Sequence, residues 1–150
     1  MIKKIKIGGF EVKNDNKFFL IAGPCVIENR DHALYHAEMI KQICDELSLD
    51  FVFKSSFDKA NRTNINSSRG VGLEKGLEIL NEIKNSLNIP VLTDIHESYQ
   101  CDLLKEVVDI IQIPAFLCRQ TDLLLTASNT GKIVNIKKGQ FMNSDSMRFA

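Results

Sequence analysis

Phe51-Val-Phe-Lys-Ser-Ser-Phe-Asp-Lys-Ala-Asn-Arg-Thr63 runs from a short apolar segment straight into a loop with two lysines, an arginine, an asparagine and hydroxyls. The apolar triplet reads as a buried strand, so Lys54 stands at a strand end with Lys59 and Arg62 a few residues beyond it. Guanidinium and ammonium groups gathered in this way bind phosphate or carboxylate, and Asn61 and Thr63 add directional hydrogen bonds. The residues alone read equally well as a solvated basic turn.

Outward from this stretch the same pattern recurs. Apolar runs at 18–22, 51–53, 91–93, 109–113 and 133–136 alternate with segments at 31–47, 70–87, 98–107 and 120–128 whose apolar residues return every three or four positions. Ala33, Ala37, Ile40, Cys44 and Leu47 make one such helical face; Leu73, Leu77, Leu80, Ile83 and Leu87 make another, with Ser67 or Ser68 placed to cap it. Gly8-Gly9 between the alternating segments 2–7 and 10–12 predicts an N-terminal β-hairpin that closes one end of the fold. Strands alternating with helices imply an α/β fold with a parallel sheet, either doubly wound or part of a (β/α)8 barrel.

Groups at the strand ends favour the barrel. Just past each core strand stand Cys25, Lys54, Asp94 with His96, Gln112, and Lys137 with Lys138 and Gln140, so every strand delivers chemistry to one rim. An open sheet would gather them at one switch point behind a glycine-rich first turn. Here the first turn is Gly23-Pro24-Cys25, and Gly70-Val71-Gly72 follows a polar segment and reads as a helix start. The expectation is therefore a partial TIM barrel, a single domain over 1–150, with a hairpin at 1–12 and barrel units over 18–142. It holds about the first four βα units plus a fifth strand. A closed barrel needs eight units in at least ~200 residues, so a fragment or truncated gene product is expected, with open edge strands prone to pairing.

Composition narrows the function classes. With 44% hydrophobic and 25% charged residues the 150-residue chain is globular, and its formal net charge of zero gives no general attraction to nucleic acid or anionic membranes. No leader-like or membrane-spanning run is apparent, so a cytoplasmic location is expected. The cysteines at 25, 44, 101 and 118 form no C-x-x-C pair and are expected to be free thiols, Cys44 and Cys101 packing as small apolar groups. His32 and His36 lie one turn apart but lack a third ligand, which favours surface packing over a metal site.

Five segments carry a resemblance: Ile21-Ala-Gly-Pro-Cys-Val-Ile-Glu28, Phe53-Lys-Ser-Ser-Phe-Asp-Lys-Ala-Asn-Arg-Thr63, Thr93-Asp-Ile-His-Glu97, Ile111-Gln-Ile-Pro-Ala-Phe-Leu-Cys-Arg-Gln-Thr-Asp122 and Val134-Asn-Ile-Lys-Lys-Gly-Gln-Phe141. In this order, over about 18–142, the chain resembles the N-terminal part of the metal-type 3-deoxy-D-manno-octulosonate 8-phosphate synthases. The resemblance implies a homotetrameric barrel enzyme of lipopolysaccharide (Kdo) synthesis that condenses phosphoenolpyruvate with D-arabinose 5-phosphate and releases phosphate. It implies catalytic roles for Lys137, Asp94 and Asn61. Lys54, Lys137, Gln112, Pro114 and Ala115 would seat phosphoenolpyruvate, with Gln140 nearby, and Lys59, Asn61, Arg62 and Thr63 would hold the sugar phosphate. Arg119 would reach a neighbouring subunit's sugar phosphate.

Cys25 matches the ligand of members that use a divalent metal such as zinc, iron or manganese. The family's remaining ligands, a histidine, a glutamate and an aspartate, have no counterpart in this sequence. The chain is thus expected neither to hold a metal tightly nor to turn over by itself. The other readings are a 3-deoxy-D-arabino-heptulosonate 7-phosphate synthase, which differs in its acceptor, a non-catalytic remnant that still binds sugar phosphate, and a piece unable to fold.

Overall fold

The computed structural model describes residues 4–13 and 17–150. A two-stranded antiparallel hairpin, β1 (Ile5–Ile7) and β2 (Phe10–Val12), precedes the main sheet. Residues 1–3 of the expected hairpin lie outside the described residues. The main sheet holds β3 (Leu20–Ala22), β4 (Phe51–Lys54), β5 (Val91–Asp94), β6 (Ile110–Ile113) and β7 (Ile133–Ile136), all parallel and hydrogen-bonded in sequence order. Helices α1 (Arg30–Glu46), α2 (Leu73–Leu87), α3 (Gln100–Leu104) and α4 (Thr121–Ser128) fill the connections. Strand order that never reverses is the topology of a barrel wall and excludes a doubly wound sheet, which must turn back at a switch point.

The period-two alternation of each strand sorts its residues onto two faces. Ala22, Phe51, Phe53, Val91, Ile111, Ile113, Val134 and Ile136 pack with Ala33, Ala37, Cys44, Leu80 and Ile83 of the helices in the larger core. The opposite face, concave in a barrel wall, carries Ile21, Val52, Leu92, Ile110 and Ile133, and these form a smaller cluster with Ile7, Phe10 and Val12 of the hairpin. In β4 to β7 the cluster's residues, Val52, Leu92, Ile110 and Ile133, lie in the N-terminal half of the strand, so the hairpin plugs the floor and leaves the C-terminal rim open. Phe19 stacks obliquely on Phe10 at 5.7 Å between ring centres, which draws the chain into the floor before β3 begins.

Local chemistry moves several boundaries from their expected places. The first core strand starts at Leu20, because Phe18 is exposed and Phe19 belongs to the floor. α1 begins where Asn29, extended at φ −159°, accepts a 2.8 Å hydrogen bond from the His32 amide. α2 begins at Leu73 instead of 70, and the expected serine cap is incorrect: the cap position is Gly72 at φ 82°, with no side-chain cap. Its amide is held instead by the Phe57 carbonyl at 3.1 Å. α3 is shorter than 98–107, since the amides of Val107 and Val108 both turn back onto the Leu104 carbonyl at 2.9 Å and bury Val108 on the way into β6. Among the described residues no helix is long and apolar enough to cross a membrane.

Candidate functional site

The rim is built by two glycine contacts and one aromatic plug. Gly23 ends β3 so close to β4 that a Cβ there would stand 2.0 Å from the Lys54 carbonyl oxygen, at a φ of +154°. Beyond it the pairing resumes as the parallel bridge Val26–Ser56, and the Ser55 hydroxyl donates to the Pro24 carbonyl at 2.9 Å. The ends of β3 and β4 are thereby locked side by side. Phe57 is buried under the loop, edge-on to His96 and against Gly76 of α2, where a Cβ would meet the Phe57 Cβ at 2.4 Å. Asp58 then takes Arg69 in a two-pronged ion pair, Nε to Oδ1 at 2.8 Å and the terminal nitrogen to Oδ2 at 2.5 Å. Closed at both ends, the loop carries 59–63 outward.

On the concave face, Lys54, Asp94, Gln112 and Asn135 follow Val52, Leu92, Ile110 and Ile133 by two residues each, and so form the next layer above the apolar floor. Asp94, Gln112 and Asn135 are register partners across three adjacent strands. The Lys54 ammonium donates to Ser56 Oγ at 2.9 Å and to the Cys25 carbonyl at 3.4 Å. His96 Nε2 lies 3.2 Å from Asp94 Oδ2, and the His96 and Glu97 amides both donate to Gln100 Oε1. Gln112 Oε1 accepts from Asn135 Nδ2 at 3.0 Å. By the alternation of β7, Lys137 continues the concave face two residues past Asn135, and its amide still pairs with the Ile113 carbonyl at 3.0 Å.

Asp94 is the one acid of this layer, and it is only 8% exposed. Burial pushes its pKa up, but the hydrogen bond with His96, the nearby Ser56 hydroxyl and the charges of Lys54 and His96 outweigh burial and hold it below the usual carboxylate range. The group is therefore ionised at neutral pH. Its Oδ1 is buried and has no hydrogen-bond partner among the described residues. A buried acceptor with an open position, beside an ammonium and a carboxamide, is suited to receive a ligand hydroxyl or a proton.

The other expected site residues fall into separate groups. Pro114, at ψ 154°, turns β6 into the short 3-10 segment Ala115–Leu117, placing the Pro114-Ala115 backbone beside the rim. In the 59–63 loop Arg62 is half-buried, with its Nε unpartnered among the described residues, whereas Asn61 and Thr63 are exposed. No hydrogen bond among the described residues ties the Lys59, Asn61, Arg62 or Thr63 side chains to the Lys54 layer. Arg119 is exposed and lines a different cavity of about 430 Å³ with Phe141, Met142 and Phe149. It makes no ion pair with Asp122 among the described residues. Gln140 is exposed as well. Lys138 is used structurally, donating to the Gly139 and Met142 carbonyls.

Cys118 lies in the interior with its Sγ 3.5 Å from Met142 Sδ, so its position after an apolar run reflects packing. Cys44 and Cys101 are buried, and burial raises both thiols. His32 and His36 stack at 4.3 Å, with His36 Nδ1 on the His32 carbonyl. Cys25 is exposed at the rim. Among the described residues no three histidine, cysteine or acidic side chains gather to hold a metal. Cys25 offers one sulfur, and one donor does not make a zinc or iron site.

A family model described as the DAHP synthetase I family matches residues 3–150. The chain belongs to that family. Among curated relatives of this DAHP synthetase I family member, a 2-dehydro-3-deoxyphosphooctonate aldolase of Rickettsia typhi (strain ATCC VR-144 / Wilmington) is 58% identical over 142 residues, 95% of this chain and 52% of the relative. Proteins of the same name from Rickettsia prowazekii (strain Madrid E) and Rickettsia felis (strain ATCC VR-1525 / URRWXCal2) are 56% and 54% identical over the same shares. The chain thus spans about half the length of the curated relatives it matches. Two residues of the rim layer, Ser56 and Asn135, were not singled out from sequence; each sits two positions from a lysine of the rim, and the period of a strand marks it.

Proposed function

We propose that this chain supplies the phosphoenolpyruvate and D-arabinose 5-phosphate contacts of a 3-deoxy-D-manno-octulosonate 8-phosphate synthase, acting in the cytoplasm on the route to Kdo and lipopolysaccharide. The reading rests above all on the concave layer in which Lys54, ionised Asp94 and Gln112 stand together over an apolar floor. The names of the relatives support the octulosonate acceptor over the heptulosonate one.

In this reading Lys54 and Lys137 neutralise the carboxylate and phosphate of phosphoenolpyruvate, while Gln112 and the Pro114-Ala115 backbone orient it. Arg62 takes the phosphate of the sugar, and Lys59, Asn61 and Thr63 hold its remaining oxygens. The enol methylene carbon bonds to the sugar aldehyde carbon, water adds at the former enol carbon, and inorganic phosphate leaves. Asp94 Oδ1 accepts the sugar hydroxyl or its proton. Arg119, in its separate cavity, serves the sugar phosphate of a neighbouring subunit in a homotetramer. In metal-using members a divalent ion would supply electrophilic activation, and Cys25 is the residue here that would contribute to holding it.

Calorimetry on the purified chain tests the reading. Phosphoenolpyruvate is expected to bind and Lys54→Met to abolish binding, with arabinose 5-phosphate preferred over erythrose 4-phosphate as the second ligand. Preference for erythrose 4-phosphate would transfer the chain to the heptulosonate reaction, and failure to bind either sugar phosphate would overturn the proposal.

A further inference from the structure

Gln112 stands between Asp94 and Asn135 in the concave layer, and a carboxamide is ambiguous: one end donates, the other accepts. Which end faces a ligand decides whether this point of the site attracts or repels an anionic oxygen. Its two register partners differ in kind: Asn135 can offer either end of its own amide, whereas the Asp94 carboxylate can only accept and so breaks the tie. Asn135, its register partner on β7, donates from Nδ2 to Gln112 Oε1 at 3.0 Å. That bond occupies the accepting end. Gln112 Nε2 is left with no hydrogen-bond partner among the described residues, and the register partner on the other side is the ionised Asp94, whose charge favours the donor end in its direction.

We infer that Asn135 is a positioning residue: it turns the Gln112 carboxamide so that the NH2 group faces the rim and makes this point of the pocket selective for an acceptor-only oxygen, such as that of a carboxylate or phosphate. The ligand class rests on the function proposed above, whereas the orientation does not. Both residues are half-buried, so the bond is partly shielded from competing water without being sealed from a ligand. Asn135 does not touch the substrate in this scheme. It acts through the residue that does.

The test has a ligand-free arm and a ligand arm. In side-chain amide NMR spectra of the 15N-labelled chain, assigned by the loss of signals in Gln112→Glu and Asn135→Asp, the Asn135 NH2 is expected to show the slow exchange and small temperature coefficient of a bonded group. The Gln112 NH2 is expected to behave as free. In Asn135→Asp, which can only accept, Gln112 must turn over, and its NH2 takes the bonded signature.

Adding phosphoenolpyruvate is expected to shift the Gln112 NH2 signals of the wild type. Its dissociation constant is expected to rise about tenfold in Asn135→Asp and about threefold in the uncharged Asn135→Leu. The larger loss should persist in about 0.5 M KCl, where the added charge is mostly screened. A bonded Gln112 NH2 in the wild type, or an Asn135→Asp variant unchanged in both spectrum and affinity, would overturn the inference. A wild type that binds no phosphoenolpyruvate would instead overturn the ligand reading, and the spectra would still decide the orientation.

Discussion

A buried carboxylate stays ionised only when its surroundings compensate for the lost hydration, and Asp94 is compensated by His96, Ser56 and Lys54 together. Because its folded pKa lies below that of the unfolded chain, it contributes stability at pH values above the unfolded carboxylate range. That contribution fades as the pH falls through the folded value. Asp94→Asn keeps the shape but loses the charge facing Lys54, so it is expected to cost about 1–3 kcal/mol at pH 7. The gap from the wild type should close in the acid range below about pH 4. Urea titrations across that range measure both.

At this scale the sequence announced Lys54 and Asp94 by position, since each ends an apolar run, and Gln112 as the polar residue that interrupts one, inside β6 and not past its end as expected. It did not announce the links between them. Ser56 and Asn135 are small polar residues inside or just past strands, and their meaning depends on which neighbour the register brings alongside. The same limit applies to Cys118, which follows an apolar run as the rim residues do and yet packs in the interior against Met142.

Elements here are placed less by their own propensity than by what they must fit against. α2 carries Gly76 as its fourth residue, at a position where helix propensity alone would favour alanine by up to about 1 kcal/mol. The Phe57 side chain occupies the space that an added methyl would need. Gly76→Ala is therefore expected to destabilise the fold by about 1–3 kcal/mol, opposite in sign to the propensity effect, and a urea midpoint shift would settle the sign. A neutral or stabilising result would mean that Phe57 is free to move.

Phe57→Ala removes the plug itself and is expected to cost about 3–5 kcal/mol. It should also loosen the 59–63 loop, seen as faster amide exchange there. Periodicity placed α1, α2 and α4 well because each buries a continuous stripe. It overextended α3, whose last turn is unwound by paired amide contacts to the Leu104 carbonyl that leave no trace in an apolar pattern. The serine cap of α2 failed for a related reason: the Phe57 carbonyl already held the amide of Gly72.

In the molecule as a whole, strand direction separates two tasks. N-terminal ends of the strands meet the hairpin in an apolar floor of Ile7, Val52, Leu92 and Ile110, and C-terminal ends carry the polar layer two residues above it. The alternation of strands and helices was legible at once, and so was the hairpin turn at Gly8-Gly9. The sequential strand order was only inferred, from polar groups spread over every strand end, and the pairing confirms it.

If floor and rim are separate, damage to one should leave the other intact. Ile7→Ala, which empties a side chain only 3% exposed, is expected to lower stability by about 2–4 kcal/mol while leaving the dissociation constant for phosphoenolpyruvate within about twofold of wild type. Lys54→Met should abolish phosphoenolpyruvate binding, and because it also removes a cation that compensates Asp94, it is expected to lower stability as well, by about 1 kcal/mol, less than Ile7→Ala does. Paired urea and calorimetric titrations of the two variants give four values. Their crossed pattern follows from the geometry, because the two residues share no contact and act at opposite ends of β4. A floor variant that weakened ligand binding as much as stability would show that the sheet transmits strain along its strands, and the polar layer would then owe its shape to the hairpin beneath it.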